Sequence, residues 1–144
     1  VLESRIRKAN TTKLAIRSLL KDMQLETLPS DTVYDVTKGH WWILYVDYEP
    51  AGYCGLVPSK QWQDTGYFCR AGIREAYRGH GLQRKLIKTR IRKARELGYN
   101  WLITDTNDNP ASANNLIACG FRMITPSKPW CESEAACYWA LKLR

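Results

Sequence analysis

Two glycines set two residues apart, Gly79 and Gly81, stand between an apolar run of β character (Tyr67, Phe68, Ala71, Ile73) and a segment of helical periodicity that reaches Leu97. The order is strand, glycine loop, helix, and it places a βα unit at the centre of the chain. The first backbone N–H groups of such a helix have no partner within it, and the aligned peptide dipoles add positive potential at the same end. The guest that suits this end is a phosphate or pyrophosphate. Glycine serves here because a Cβ would keep the backbone from closing round phosphate oxygens and would resist positive φ. Arg78 before the loop and His80 inside it can add side-chain donors. Spacing excludes two other phosphate loops. A nucleoside-triphosphatase loop ends in Gly-Lys-Ser/Thr, whereas Gly81 is followed by Leu82-Gln83, and a dinucleotide loop needs a third glycine where this chain has Arg84.

The remaining elements can be read around this unit. Leu2–Arg7 alternates as a short strand, and Asn10-Thr11-Thr12 offers a helix cap before the apolar stripe Leu14, Ala15, Leu19 and Leu20. Pro29-Ser30-Asp31 ends that helix and is expected to cap a second, short one through Val33, Tyr34 and Val36. Trp41–Val46 and Gly52–Val57 form a hairpin with Asp47–Pro50 as its turn. Tyr67–Ile73 reads as one continuous strand with Tyr67, Cys69 and Ala71 on one face. Gly98 is placed to end the central helix, and Asn100–Asp105 is the next strand, parallel to the previous one if the helix is a crossover. Asn109–Gly120 is helical. Phe121–Thr125 and Ala136–Leu143 close as an antiparallel pair, joined by the loop Pro126–Glu134 that carries Trp130. A chain of 144 residues is expected to be one domain, 1–144. At this size about 68% of the unfolded surface is buried, enough for an independent core.

The net charge of +8 is concentrated in the central helix, where Arg84, Lys85, Lys88, Arg90, Arg92, Lys93 and Arg95 lie between the apolar positions Leu82, Leu86, Ile87, Ile91, Ala94 and Leu97. A solvated outer face is the plainer account of these charges, with attraction of a polyanionic cofactor at the helix start as an added role. A nucleic-acid surface is a further reading, although no nucleic-acid motif accompanies it. Six tryptophans and eight tyrosines suggest that some line a groove while the rest pack the core. Five cysteines form no C-x-x-C pair, and with only His40 and His80 as partners no zinc spacing arises, so no metal is expected. Reduced thiols in a cytoplasmic protein are the simplest reading. No apolar run is long enough to span a bilayer, no signal-peptide pattern is present, and the start at Val1 implies that an initiator methionine or a tag is missing.

Arg78-Gly79-His80-Gly81-Leu82-Gln83, preceded by Ile73 and Tyr77, resembles the R/Q-x-x-G-x-G/A loop of the GNAT (Gcn5-related N-acetyltransferase) superfamily. Downstream, Asn109-Pro110-Ala111-Ser112-Ala113-Asn114-Asn115 and the following Gly120-Phe121 resemble that family's N-x-x-S-x-N…G-F helix. The resemblance implies an α/β (α+β) fold: a mixed, mostly antiparallel sheet of about six to seven strands with a splayed parallel pair in the middle, flanked by about four helices. It implies an acetyl-CoA-dependent N-acetyltransferase. The loop amides of Arg78, Gly79, His80, Gly81, Leu82 and Gln83 would hold the pyrophosphate of coenzyme A. The pantetheine arm would pair with the backbone of Ala71, Gly72 and Ile73, and Asn109, Ser112 and Asn115 would line the cofactor. The Ile73 N–H would polarise the thioester carbonyl.

Three positions depart from the family pattern: Gln83 for a small residue, Glu75 for proline, and Leu116 for the tyrosine that protonates the leaving thiolate in many members. The expected catalytic set is Tyr67, Cys69 and Asp105, with Asp64 as a further carboxylate; Tyr67 can relay a proton and a carboxylate at a strand end can accept one. No histidine stands near Cys69 or Cys119 in sequence, which argues for direct attack over an acetyl-cysteine. Between the first two expected helices, Glu26, Asp31, Tyr34 and Asp35 could meet the acceptor amine or simply cap and solvate helix ends. The acceptor class stays open between a small amine, an amino acid, a peptide N-terminus and a lysine. A coenzyme A or acyl-CoA binding module without turnover is the alternative, and a homodimer through an edge strand is the assembly that the resemblance suggests.

Overall fold

The computed structural model describes residues 2–134 and 136–144; Val1, on which the expectation of a missing methionine or tag rests, lies outside them. The elements are β1 (Ser4–Lys8), α1 (Leu14–Thr27), β2 (His40–Val46), β3 (Glu49–Pro58), β4 (Thr65–Tyr67), β5 (Ala71–Ile73), a 3-10 turn (Glu75–Tyr77), α2 (Leu82–Glu96), β6 (Trp101–Thr106), α3 (Pro110–Ala118), β7 (Arg122–Ile124) and β8 (Cys137–Lys142). The expected mixed, mostly antiparallel architecture forms, with eight strands and three α-helices among the described residues. The chain divides into two compact units, Val1–Val57 with Phe68–Leu86, and Pro58–Tyr67 with Ile87–Arg144.

In the first unit β1, β2 and β3 pair antiparallel in sequence order, and β5 lies against β3. Trp41, Trp42, Ile43 and Leu44 are all buried, as they must be in a strand covered on both faces. The β2–β3 turn is tighter than the sequence suggests: Asp47 and Tyr48 alone make it, both in the left-handed region (φ 49 and 67), and Glu49 already begins β3. Two consecutive positive φ values match the right-handed twist of a hairpin. Helix α1 packs on β5 at Gly72, where any Cβ would collide with the Thr27 side chain. That close approach lets Thr27 Oγ1 bond both Met23 O (2.7 Å) and the Tyr53 hydroxyl (2.9 Å). Burial pushes the Tyr53 phenol up to about 12, so it stays protonated.

In the second unit β4 runs parallel to β6 for three pairs, Thr65↔Trp101 to Tyr67↔Ile103. β6 then pairs antiparallel with β8 along its whole length, and β7 pairs with β8. The single strand expected over Tyr67–Ile73 is therefore two. Phe68–Arg70 belong to neither strand, and beyond them the chain joins β3 as β5. Both helices of this unit end in the same way. Gly98 (φ 79) follows α2, with Gly98 N–H on Arg95 O and Tyr99 N–H on Ala94 O. Gly120 (φ 99) follows α3, with Gly120 N–H on Ile117 O and Phe121 N–H on Leu116 O. These are Schellman caps, in which left-handed glycine returns the chain and satisfies the last carbonyls. Phe121, only 2% exposed, supplies the apolar contact that accompanies such a cap. One charge of α2 departs from the expected solvated face: Arg90 is buried at 3% exposure among Leu86, Ile87, Ile91 and Ala94 on that helix.

The second short helix expected after Pro29 is absent, and residues 28–39 form turns and extended chain. The cause is Gln24, buried on α1, whose Oε1 accepts the Tyr34 N–H (2.7 Å) while its Nε2 donates to Tyr34 O (3.3 Å). A side-chain amide thus takes both backbone groups of Tyr34 that a helix would have used. Nor does Asn10 cap α1; its Oδ1 closes a local turn by accepting from the N–H (3.2 Å) and hydroxyl (2.6 Å) of Thr12. Replacing Gln24 by leucine leaves the half-buried Tyr34 groups without these partners, so Gln24→Leu is expected to lower unfolding free energy by about 1–3 kcal/mol. Urea denaturation of both proteins measures this, and an unchanged midpoint would contradict the clamp.

Candidate functional site

The glycine loop enters α2 as the sequence suggests. Gly79 and Gly81 both take positive φ (84 and 73), and a Cβ at either would meet nothing within 4 Å. The loop's open side therefore faces free space. Among the described residues the N–H groups of Gly79, His80, Gly81, Leu82 and Gln83 find no acceptor, which leaves a run of donors at the positive end of a 15-residue helix. Arg78 and His80 are exposed, as are Arg84 and Lys85 in the first turn. Arg78 is partly committed, since its Nε donates to Ile73 O at 3.0 Å and ties the loop to the end of β5. Lys85 Nζ donates to Ser4 Oγ at 3.0 Å. Gln83, where the family pattern has a small residue, turns its amide inward: its Oε1 is buried and has no donor among the described residues.

The edge of β5 adds a second row of backbone donors. Antiparallel neighbours alternate between pairs that exchange hydrogen bonds and pairs that do not. Gly55 N–H bonds Arg70 O and Arg74 N–H bonds Ala51 O, both at 2.8 Å, so Arg70, Gly72 and Arg74 address β3. Ala71 and Ile73, opposite Cys54 and Gly52, fall on the other phase and direct their N–H groups away from β3. Among the described residues β5 pairs with β3 and no other strand. Arg74 braces this edge through an ion pair with Glu26 (2.7 Å) and a bond to Pro50 O (3.0 Å). Glu26 is thus a structural partner in this unit, and Asp35 caps a turn by accepting from the N–H and hydroxyl of Thr37 (3.0 and 2.6 Å). Tyr34 lies under the Arg70 guanidinium at 5.5 Å, and burial raises its pKa.

In the second unit Asn109 is the N-cap of α3, with its Oδ1 accepting from Ser112 N–H at 3.1 Å and Pro110 in the first turn. The Asn-x-x-Ser spacing of the motif is thereby a helix start, and Asn115 follows Ser112 on the same face one turn later. Leu116 is buried at 5% exposure. Tyr67 and Asp105, placed in the catalytic set from the sequence, are brought together: the Tyr67 hydroxyl donates to Asp105 Oδ1 at 2.6 Å. Cys69 belongs to the first unit, buried at 5% exposure, and its Sγ occupies the space that a Cβ at Gly55 would need.

Sequence reasoning missed Tyr138 as the neighbour of this carboxylate, and Trp62 as part of the row of rings that reaches Tyr138 through Trp130. Tyr138 is the cross-strand partner of Asp105, its hydroxyl donates to Cys131 O at 3.0 Å, and burial raises its pKa, helped by the Cys131 thiol and Asp105. Trp62, Trp130 and Tyr138 meet edge to face. The abundance of aromatic residues was the only signal, because nothing in the spacing of residues 62, 130 and 138 announces contact. Among the described residues no group of three or more His, Cys, Asp or Glu side chains could hold a metal, and no helix is long and apolar enough to cross a membrane.

The family pattern described as "Acetyltransferase (GNAT) family" matches residues 13–121, which takes in the loop and α3. No curated protein sequence matches the chain. Among solved structures, the chain resembles a Bacillus subtilis acetyltransferase in complex with CoA, with a TM-score of 0.79 and 19% identity over 99% of this chain and 100% of that one. It also resembles an acetyltransferase from Bacillus cereus called an IAA acetyltransferase (0.77, 17% identity, 98% and 100% of the two chains). A third similar structure is the ribosomal-protein-S18-alanine N-acetyltransferase of Escherichia coli (0.75, 13%, 97% and 94%). At these identities the likeness is one of fold.

The Asn109 cap has a stability consequence separable from any ligand. Asn109→Ala is expected to cost about 0.5–2 kcal/mol, and Asn109→Ser, which can also cap, to recover most of it. Thermal unfolding without ligand reads both variants, and equal stability of the three proteins would contradict the cap.

Proposed function

This chain belongs to the GNAT acetyltransferase family, and from that premise we propose that it moves the acetyl group of acetyl-CoA to a primary amine by direct attack in a ternary complex. Residues 1–144 act as one acetyltransferase domain on this reading. The observation that carries it is the uninterrupted run of unbonded N–H groups from Gly79 to Gln83 at the start of α2. A doubly charged pyrophosphate matches that run, with Arg78 and His80 as side-chain donors. The outward N–H groups of Ala71 and Ile73 suit an extended chain with amide carbonyls, as the pantetheine arm is. The orphaned Gln83 Oε1 suits one of that arm's amide N–H groups. Asn109, Ser112 and Asn115 are the α3 residues that the family's motif assigns to the cofactor.

When bound, acetyl-CoA supplies an activated thioester carbonyl. The Ile73 N–H would be the donor that polarises that carbonyl and offsets the negative charge of the attack. Tyr67 passes the amine's proton to Asp105, its partner at 2.6 Å, and can return one to the departing thiolate. Leu116 carries no proton, so this pair takes both duties. Cys69 is the third member of the catalytic set by position, and on the direct-attack reading both Cys69→Ser and Cys119→Ser keep turnover. All five cysteines are free thiols, which suits a cytoplasmic setting.

Two measurements test the proposal. Gly81→Val places a branched side chain at φ 73, and calorimetric titration is expected to show acetyl-CoA affinity falling by about tenfold or more while a pantetheine fragment binds as before. Equal acetyl-CoA affinity in the two proteins would remove the pyrophosphate from this loop. Tyr67→Phe and Asp105→Asn are each expected to lower kcat by about 10²-fold or more with KM for acetyl-CoA unchanged. The second reading is a coenzyme A binding module, favoured by Leu116 at the position of the family's tyrosine. Tight cofactor binding with no thiol release across a panel of amines would establish it.

A further inference from the structure

The second half of α2 carries cations that the glycine loop does not use. Lys88, Arg92 and Arg95 are spaced i, i+4 and i+7, which sets them on one stripe of the helix, and all three are exposed. Among the described residues none of the three side chains enters an ion pair or a hydrogen bond. A helix face that only meets solvent has no opposite wall, but this stripe has one. The three cations line a cavity of about 500 Å³ whose other lining includes Cys119, just past α3, and Leu141 of β8. Ile91, 8% exposed, adds an apolar patch on the helix side. All of these residues belong to the second unit.

The charge of the groove follows from the elements around it. Residues 109–120, which hold α3 and both its caps, include no charged side chain. On the sheet, the face that carries Leu141 also carries Cys137 and Trp139 of β8, their partners Leu102 and Thr104 of β6, and Met123 of β7, all uncharged. Asp105, opposite Tyr138, falls on the other face. The one acid lining the cavity is Glu96, and Lys93 holds it at 3.6 Å. Lys88, Arg92 and Arg95 are thus left with no carboxylate to meet them. Like charges one turn apart weaken a helix, so an anion seated here would relieve a repulsion that the fold carries without it.

The spacing narrows the anion. Lys88 and Arg95 are seven residues apart, about 10 Å of helical rise, so a single monovalent ion cannot meet all three cations. A chain of phosphates can. Arg92 and Arg95 each offer a planar fork that matches phosphate oxygens, and Lys88 adds a point charge. The volume falls in the range of small-ligand sites, with apolar surface at Ile91 and Leu141 for an organic group. We propose that this groove is a second anion site, separate from the glycine loop, and that its ligand is a polyphosphate, free or carried on a small organic molecule. On α3 the separation is plain: the motif residue Asn109 caps its start, and Cys119 follows its end, about 15 Å away by helical rise.

Cys119, a half-buried free thiol in the cavity lining, serves as the reporter. Its alkylation by iodoacetamide, an uncharged reagent, is followed by mass spectrometry on the tryptic fragment that carries it, which holds no other cysteine. Inorganic triphosphate and ATP, both free of magnesium, are compared with orthophosphate and adenosine. At saturation the better of the two polyphosphates is expected to slow alkylation about fivefold or more, and which of them is better distinguishes a free from an organic ligand. Orthophosphate and adenosine are expected to leave the rate unchanged. Protection is expected to vanish when Arg92→Gln and Arg95→Gln are combined, and to persist in part when both positions are lysine. Gly81→Val, which alters the other phosphate site, is expected to keep it in full. No protection by either polyphosphate, equal protection by adenosine or orthophosphate, survival of protection in the double glutamine variant, or its loss in Gly81→Val would each overturn the inference. None of these outcomes depends on acetyl transfer.

Discussion

Backbone N–H groups left without partners are the constraint on which this protein's organisation turns. A buried or half-buried amide without an acceptor costs free energy, and folded chains keep few of them. Among the described residues one stretch carries a run of them, from the outward-facing Ala71 and Ile73 of β5 to Gly79–Gln83 at the start of α2. The surrounding residues hold that stretch open. Thr27 packs on Gly72, the Arg74–Glu26 ion pair fixes the end of β5, and Arg78 anchors the loop to Ile73 O. Each of these contacts uses a side chain to position the backbone and leaves the N–H groups available. A polyanion with an amide-bearing arm has the complementary pattern of acceptors.

The second unit spends its polar groups differently. Schellman caps at Gly98 and Gly120 satisfy the ends of α2 and α3, and Asn109 satisfies the start of α3. Beyond these caps, the unit joins polar side chains across its sheet in the Tyr67–Asp105 pair, with Tyr138 opposite Asp105. The phenols of Tyr53 and Tyr138 are both held protonated by burial, so neither competes with a carboxylate as proton acceptor near neutral pH.

The βα unit, the hairpin, the closing strand pair and the helix stop at Gly98 were legible because each rests on local chemistry: periodicity, turn residues and a glycine with positive φ. Long-range partners defeated the same reasoning elsewhere. The helix expected over residues 31–36 loses to Gln24, a side chain from ten positions earlier that takes both backbone groups of Tyr34. The strand expected over Tyr67–Ile73 divides because its first part pairs with β6 and its last with β3, a choice invisible in its own alternation. For the site, the loop could be read from spacing and the α3 segment from its motif, whereas the cap at Asn109 came only with the structure. The phase of β5 that turns Ala71 and Ile73 outward, and the meeting of Trp62, Trp130 and Tyr138, depend on register and loop path.

The central claim is that the free amides of the loop and of β5 bind different parts of one ligand. The most direct measurement is a set of ¹H–¹⁵N correlation spectra of the labelled chain with coenzyme A and, separately, with pantetheine. The account predicts that Gly79, Gly81 and Gln83 amides shift with coenzyme A only, while Ala71 and Ile73 amides shift with both. Loop amides that respond equally to pantetheine, or that stay still when coenzyme A saturates the protein, would contradict it.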